Sequence, residues 1–295
     1  MAQPAPTVLI TGCSDGGAGA ALAIAFHKAG YHVYATTRNT AKMEDLRERG
    51  IETLALDVQS DSSIAQCVAH ITAAIKERGL DILVNNAGCQ YTMPVADIDI
   101  SLAKQIYDLN VFSNIAVTQA FLPLLLMAAN GDRSRSIIAN HTSTAACLAI
   151  PFQSIYNSSK AALASLSNTM RLELAPFKIK VVDIRSGIIK TNLIKNLQDL
   201  KHPTLPLGSV YDPAREIMGK ILRQENFEAQ GTPVDQWADL VVEDLKKQNL
   251  PPVIWRGESA LTVWISTVLP FGVLDGTLKK LTGLDTIAQV IREHD

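Results

Sequence analysis

The chain has 295 residues, with 27 Lys and Arg against 29 Asp and Glu, so its formal net charge is −2. This balance provides no general attraction to nucleic acid, and a nucleic-acid partner is not expected. Apolar residues make up 47% of the sequence and charged residues only 19%. This composition excludes disorder on a large scale and supplies enough material for a buried core.

The cysteines and the N-terminus bear on the cellular compartment. The four cysteines are scattered without CxxC spacing, so we expect neither a disulfide framework nor a metal site. The N-terminal residues do not have the pattern of a signal peptide. No uninterrupted apolar run reaches 18 residues, which argues against a membrane span. A cytoplasmic protein is therefore expected.

Apolar, β-branched segments alternate with helical segments along most of the chain. Strands are predicted at 7–11, 31–37, 52–56, 81–85, 136–140, 180–184 and 252–255, the last at an edge. Helices are predicted at 18–29, 43–49, 64–78, 100–129, 156–174, 214–227 and 234–248. This alternation predicts a single α/β domain over 1–295, with a doubly wound parallel sheet of about seven strands and helices on both faces.

Two segments after the last crossover have separate predictions. Residues 192–256 are interrupted by prolines and then become helical, and we expect them to cover the substrate above the ligand crevice. Residues 257–295 form an amphipathic tail in which 260–274 hold no charge. This uncharged stretch is either an interfacial helix, with membrane contact through 258–281, or a helix that closes the pocket or packs on a neighbouring subunit.

A glycine-rich loop, TGCSDGGAG at 11–19, joins the first predicted strand to the first predicted helix. Glycine permits unusual dihedrals and a close approach of the ligand, while the N–H groups and dipole of the following helix attract phosphate. The alternative is an ordinary strand-to-helix turn. Because a strand precedes the loop and a helix follows it, we predict a dinucleotide-binding site.

The residues after the second predicted strand discriminate between dinucleotides. An NAD site usually offers an Asp or Glu to the ribose hydroxyls there, whereas this chain has Arg38 and no carboxylate before Glu44. A guanidinium suits a 2′-phosphate through charge-assisted hydrogen bonds. We therefore predict NADP(H) as the cofactor, the alternative being that Arg38 is a solvated surface cation.

Tyr156 and Lys160 lie four residues apart in a predicted helix and share one of its faces. A nearby ammonium favours the phenolate, so we expect the pKa of Tyr156 to be lowered toward neutrality. The spacing alone is common by chance, but Ser143 lies 13 residues upstream at the carboxyl end of a predicted strand. Ligands bind at that edge in open α/β sheets. His141, nearby, is more simply a packed or surface histidine than a base.

Together these motifs resemble the short-chain dehydrogenase/reductase family over residues 5–195. The resemblance is carried by the loop 11–19, Asp57-Val58, Asn85-Asn86-Ala87-Gly88, Asn110, Ser143, Tyr156, Lys160, and Gly187 followed by Thr191. Short local matches, TGCSDGG and VYATTRN, resemble a fungal branch related to 1-acyldihydroxyacetone-phosphate reductases and 17β-hydroxysteroid-dehydrogenase-like enzymes. The implied fold is the Rossmann fold.

The resemblance implies a set of cofactor-binding residues, which are Gly12, Ser14, Asp15, Gly17, Gly19, Arg38, Asp57, Val58, Asn86, Ala87, Gly88, Tyr156, Lys160, Ile189 and Thr191. The loop glycines would form the phosphate turn. Asp57 and Val58 would contact the adenine, and 86–88 would pass beneath its ribose. Ile189 and Thr191 would contact the carboxamide and the pyrophosphate.

It also implies four catalytic residues. Tyr156 would be the general acid in reduction or the base in oxidation, and Lys160 would lower its pKa and bind the nicotinamide ribose. Ser143 would orient the carbonyl oxygen, and Asn110 would hold a water that joins Lys160 to solvent. A homodimer or homotetramer formed through helices 100–129 and 156–174 is implied as well.

Three positions depart from the family pattern. The loop has one residue more than the usual TGxxxGxG, and Ala18 stands where a bulky Ile or Leu is customary. Ser186 stands where a proline usually precedes Gly187, so we expect the segment after that strand to be more mobile.

Three functions follow as hypotheses. The first is NADPH-dependent reduction of a ketone of a lipophilic small molecule, in fungal secondary metabolism. The second is an acyl-dihydroxyacetone-phosphate reductase on a membrane or lipid-droplet surface, with Lys190, Lys195 and Lys201 as candidate phosphate contacts. The third is a cofactor-binding regulator without turnover, which has no need of Ser143, Tyr156 and Lys160 together.

Overall fold

A computed structural model describes residues 4–131, 135–192, 204–225 and 230–294 of the chain. Its centre is a seven-stranded parallel sheet in the order β3-β2-β1-β4-β5-β6-β9. The strands are β1 Thr7–Thr11, β2 His32–Thr37, β3 Glu52–Ala55, β4 Ile82–Asn85, β5 Ser136–His141, β6 Ile179–Ser186 and β9 Val253–Arg256. The prediction of a doubly wound parallel sheet is confirmed.

Shorter strands and the helices complete the architecture. The strands β7 Ile189–Lys190 and β8 Thr232–Pro233 pair with each other in parallel. The helices described are α1 Ala18–Lys28, α2 Glu44–Glu48, α3 Asp61–Ile75, α4 Ile100–Tyr107, α5 Ser113–Asn130, α6 Ser154–Glu173, α7 Arg215–Leu222, α8 Val234–Lys246, α9 Ala260–Ser266, α10 Asp275–Leu281 and α11 Leu284–His294.

The sheet is buried on both faces because its strands are apolar throughout. In β1, Val8 and Ile10 face α1 and α8, whereas Leu9 faces the layer that contains α3 and α5. Successive strand residues point to opposite faces, so an unbroken apolar run fits a sheet covered by helices on both sides. The crossovers bring every strand's carboxyl end to the same edge, and the candidate site lies there.

The long apolar helix predicted at 100–129 is interrupted by one π-helical turn, Asp108–Phe112, between α4 and α5. By length and composition Ile100–Asn130 could cross a membrane, but half of its most apolar window is buried inside the molecule. Val117, Phe121 and Leu125 of α5 pack in the core beside the sheet. This packing accounts for its apolar composition.

The C-terminal tail has two parts that differ in the burial of their apolar side chains. In α11, Ile287 is fully buried in an apolar cluster with Met218 and Leu222 of α7 and with Phe152. The stretch 261–273, in α9 and the turns after it, instead leaves most of its large apolar side chains exposed. The packing of α11 thus accounts for the apolar residues at the end of the tail but not for those of 261–273, and both interpretations of the uncharged stretch stay predictions.

Candidate active site

Three of the predicted catalytic side chains approach one another where β5 ends and α6 begins. Ser143 follows β5, and its hydroxyl accepts a hydrogen bond from the Ala145 N–H at 3.1 Å. Tyr156 and Lys160 share a face of α6, with Lys160 Nζ 5.9 Å from the centre of the Tyr156 ring. A hydrogen bond with Ser143 favours the Tyr156 phenolate. Ser143 and Tyr156 thus present two hydroxyl groups to one position.

Asn110 lies in the π-helical turn, where both the oxygen and the nitrogen of its carboxamide form hydrogen bonds. Its Nδ2 donates to the Cys89 carbonyl at 2.9 Å and to Ser159 Oγ at 3.0 Å, and its Oδ1 accepts the Cys89 N–H at 2.9 Å. A Cβ on Gly88 would lie 3.1 Å from Asn110 Oδ1 and 3.5 Å from Lys160 Nζ. Asn110 and Lys160 therefore flank the same glycine, and π-helical turns are frequent at functional sites.

Burial dominates the proton affinities at this site. It raises the pKa of Tyr156 to about 12, with the Ser143 hydrogen bond opposing the rise. It lowers the pKa of Lys160 to about 8. The sequence led us to expect a lowered tyrosine pKa, and the direction is the reverse. The phenolate loses more hydration than its neighbours restore. Lys160 Nζ also donates to the His141 carbonyl, at 2.9 Å.

The phosphate loop needs its glycines for two reasons. Gly12 has a φ of +74°, which favours glycine, and a Cβ there would lie 2.9 Å from Ala87 Cα. A Cβ on Gly19 would lie 2.5 Å from both the Gly12 carbonyl and Asn86 Nδ2. Gly17 is the N-cap of α1, with no side-chain cap and no acidic residue in the first turn. The N-terminus of α1 is thus open to an anion such as a pyrophosphate.

Gly16, in the longer loop, has a structural role that the sequence did not reveal. Gly16 has a φ of +72°, and a Cβ there would overlap the Asn192 side chain. Asn192 donates from its N–H to the Gly16 carbonyl at 3.1 Å and from Nδ2 to the Asp15 carbonyl at 3.2 Å. The longer loop therefore contacts the segment that follows β7 and Thr191. Lys195 and Lys201, further along that segment, lie outside the described residues.

Arg38 follows β2 directly and is exposed. Within the described parts of the chain, its guanidinium has no hydrogen bond or ion pair. Because β2 belongs to the parallel sheet, Arg38 lies at the edge formed by the carboxyl ends of the strands. Ser14 Oγ lies 3.2 Å from Thr37 Oγ1 at the end of β2. A free guanidinium beside the loop suits a 2′-phosphate.

The other predicted cofactor residues follow the remaining strands. Asp57 and Val58 follow β3, where Asp57 Oδ1 accepts the Gln59 N–H at 3.0 Å. The N–H groups of Asn86 and Ala87, after β4, donate to Thr11 Oγ1 at 3.0 Å each. Ile189 belongs to β7. The segment before it is paired rather than loose: Ile188 and Glu258 exchange two backbone hydrogen bonds of 3.1 Å.

Residues 6–201 match the short chain dehydrogenase family. The chain belongs to this family. This short-chain dehydrogenase/reductase is an oxidoreductase that acts on CH–OH and C=O groups. Within the described residues, no cluster of three or more His, Cys, Asp or Glu side chains could hold a metal ion.

Two curated relatives and one solved structure are similar over nearly the whole chain. A short-chain dehydrogenase/reductase of Pestalotiopsis microspora is 47% identical over 292 residues, covering 99% of each chain. The NADPH-dependent 1-acyldihydroxyacetone phosphate reductase of Schizosaccharomyces pombe is 33% identical, covering 97% of each. The crystal structure of a short-chain dehydrogenase from Streptomyces avermitilis has a TM-score of 0.74 and 26% identity, covering 98% of each.

Proposed function

We propose that the protein reduces a ketone of a lipophilic small molecule to an alcohol with NADPH. The observation that carries this proposal is the pair of hydroxyl groups of Ser143 and Tyr156, with Lys160 beside them, at the same sheet edge as the uncapped N-terminus of α1. When bound, NADPH supplies the hydride. A regulator without turnover would not require such a pair of donors.

Side chains of the protein supply the proton that the carbonyl oxygen gains on reduction. Tyr156 Oη donates its proton to the carbonyl oxygen as negative charge develops there, and the Ser143 hydroxyl donates a hydrogen bond to that oxygen. The pKa of Tyr156 of about 12 keeps the phenol protonated at neutral pH. This is the form that a general acid needs, and it favours reduction. Lys160, with a pKa lowered to about 8, remains largely charged at pH 7.

The residues present fit NADPH. The first turn of α1 and the glycines of the loop suit a pyrophosphate, and Arg38 suits the 2′-phosphate that distinguishes NADP(H) from NAD(H). We infer that the loop, Arg38 and the segments at 57–58, 86–88 and 189–191 hold the cofactor across the carboxyl ends of the strands.

The substrate class is inferred from apolar groups around the start of α6. Phe152, four residues before Tyr156, is buried and packs edge to face with Tyr211, with ring centroids 5.9 Å apart. The Met93 N–H donates to the Phe152 carbonyl at 2.7 Å. The described part of 192–256, together with α11, would cover this region. Such surroundings favour a lipophilic substrate.

The direct test is an NADPH-oxidation assay across three ketone classes: acyl-dihydroxyacetone phosphates, steroids and aromatic polyketide ketones. We expect turnover of at least one class, with NADPH preferred over NADH. Turnover of the acyl-dihydroxyacetone phosphate alone would favour the lipid-pathway alternative. If the protein binds NADPH but turns over none of these, a non-catalytic role is favoured.

We propose a homodimer or homotetramer formed through α4, α5 and α6. Ile100 and Phe112 are exposed, and together with Tyr107 they line a groove of about 300 Å³. Exposed apolar patches of this kind mark protein interfaces. Light scattering coupled to size-exclusion chromatography measures the state, and Phe112→Asp is expected to shift it toward the monomer.

Peripheral membrane association is a second candidate property, favoured by the exposed apolar side chains of 261–273, which we call the apolar tip. Its members are Leu261, Trp264, Ile265, Val268, Leu269, Phe271 and Val273. Val268 is 82% exposed and Phe271 completely so, while Lys279 and Lys280 are exposed nearby. An apolar protrusion with an aromatic ring and adjacent lysines suits the headgroup boundary of an anionic bilayer.

Flotation with vesicles that contain phosphatidylserine tests this association. We expect the unsubstituted protein to float and the double variant Val268→Asp/Phe271→Asp to remain at the bottom. Phe177→Asp, at an exposed phenylalanine after α6, is the matched control and should still float. If the unsubstituted protein does not float, the result contradicts membrane association and favours a contact between the tip and a neighbouring subunit.

A further inference from the structure

His141, the last residue of β5, bridges two neighbouring strand ends. Its Nδ1 lies 2.8 Å from Asn86 Oδ1, and its Nε2 lies 2.8 Å from Ser186 Oγ. The ring stacks on Trp237 of α8, with centroids 5.1 Å apart. Its backbone carbonyl accepts the Lys160 ammonium hydrogen bond at 2.9 Å. One residue therefore contacts groups after β4, on β6, on α6 and on α8.

The hydrogen bonds of Asn86 determine which imidazole nitrogen carries the hydrogen. Asn86 Nδ2 donates to the carbonyls of Thr11 and Gly12, at 2.8 and 3.1 Å. The carboxamide oxygen is therefore the atom that faces His141, and it can only accept. Nδ1 of His141 must donate, which leaves Nε2 of a neutral ring to accept the Ser186 hydroxyl. Burial, with Lys160 nearby, lowers the pKa of His141 to about 3 and keeps the ring neutral.

Ser186 is also one of the three positions at which this chain departs from the family pattern. A proline there has no hydroxyl and could not donate to Nε2. Ser186 is nearly buried, and its backbone carbonyl lies 3.4 Å from Ser143 Oγ. His141 and Ser186 are thus complementary. Ser186 contacts Ser143 directly, and His141 reaches the phosphate loop through Asn86.

We propose that His141 is a positioning residue. It fixes the position of Asn86, and through Asn86 that of the phosphate loop, relative to Lys160. Its side chain orients the carboxamide beneath Thr11 and Gly12, and its backbone carbonyl orients the lysine. The imidazole neither touches the reacting atoms nor exchanges a proton. The consequence for cofactor affinity rests on the proposed function, since it takes NADPH as the ligand of the loop.

The first test needs no cofactor. Long-range ¹H–¹⁵N NMR of the protein, with the His141 signal assigned by its loss in His141→Asn, reports the tautomer. We expect a neutral ring protonated on Nδ1 that does not titrate between pH 5 and 8. A ring protonated on Nε2, or one that titrates in that range, would overturn the proposal.

The second test compares two amide substitutions of similar polarity. His141→Asn places an amide nitrogen near the position of Nδ1 and keeps the contact with Asn86. His141→Gln places its amide near the position of Nε2, where it meets Ser186 instead. We expect His141→Gln to raise the Kd for NADPH about tenfold, with kcat changed less, and His141→Asn to stay near the unsubstituted value.

Equal Kd values for the two variants would overturn the proposal. Absence of NADPH binding by the unsubstituted protein would instead contradict the proposed function, and the NMR tautomer would still decide whether His141 holds Asn86. The two failures are therefore distinguishable.

Discussion

The phosphate loop and the apolar tip differ in what surrounds their residues. At the loop, a Cβ on Gly12 or Gly19 would lie within 3 Å of a neighbouring backbone atom. The Asn86 side chain also donates a hydrogen bond to the Thr11 carbonyl of the loop. At the tip, Phe271 is completely exposed and Val268 nearly so. Neighbouring atoms of the molecule thus restrict the residues of the loop, whereas the described parts of the molecule leave most of the tip side chains exposed. The loop's sequence could therefore be interpreted directly, and the tip's could not.

The largest expected effect is that of Tyr156→Phe. Removing the phenolic proton should lower kcat for NADPH-dependent ketone reduction about a thousandfold, within the usual contribution of a general acid. The Kd for NADPH should change little. Tyr107→Phe, in α4, is the matched control. Steady-state kinetics with a ketone from the screen measures the effect, and retained turnover would refute the role of Tyr156.

Gly19→Ala tests whether close contacts restrict the residues of the phosphate loop. Its Cβ would lie 2.5 Å from the Gly12 carbonyl, so the loop must move, and we expect the Kd for NADPH to rise about a hundredfold. Gly30→Ala is the control: its φ is +84° but nothing lies within 4 Å. That variant should lose about 1 kcal/mol of stability and keep its NADPH affinity. Fluorescence titration and urea denaturation separate the two effects.

Acid pH should destabilise the fold through His141. Its pKa is about 3 in the folded protein against 6.5 for the free side chain, so the unfolded chain binds the proton more readily. The part of the stability that depends on a neutral His141 ring is present above pH 6.5 and is lost progressively as the pH falls below that value. Between pH 6.5 and pH 5 the loss is about 2 kcal/mol. In His141→Asn this pH dependence should diminish, as urea denaturation at several pH values can show.

Arg38→Ala should weaken cofactor discrimination. Loss of a charge-assisted contact with the 2′-phosphate is expected to reduce the preference for NADPH over NADH about tenfold. Arg47→Ala, an exposed arginine of α2, serves as the control. The ratio of kcat/KM for the two cofactors is the measurement, and an unchanged ratio would mean that Arg38 is only a surface cation.

Substitution at the tip should have the smallest effect. Phe271→Asp is expected to change the free energy of unfolding by less than about 0.5 kcal/mol, since exposed positions without partners contribute little. Urea denaturation without vesicles is the measurement. A larger loss of stability would mean that the tip packs within the molecule, and the contrast with the loop would disappear.

The fold and the main site could be predicted because their signals are local. The alternation of apolar strands with helices indicates the sheet, and the spacings around Ser143, Tyr156 and Lys160 indicate side chains that the structure places at one sheet edge. Gly16 and His141 were not assigned a role. Their partners, Asn192 and Ser186, lie 176 and 45 residues away in sequence, and no spacing connects such residues. The tyrosine pKa was wrong in direction because burial is a property of the packed molecule.

The position of α11 has a consequence for how the chain is synthesised. Ile287 completes the apolar cluster on α7, although 65 residues separate it from Leu222 in sequence. The apolar face of α7 therefore remains uncovered until α11 has emerged from the ribosome, after all seven strands of the main sheet. A nascent or truncated chain without α11 would expose Met218 and Leu222 and would be prone to aggregation.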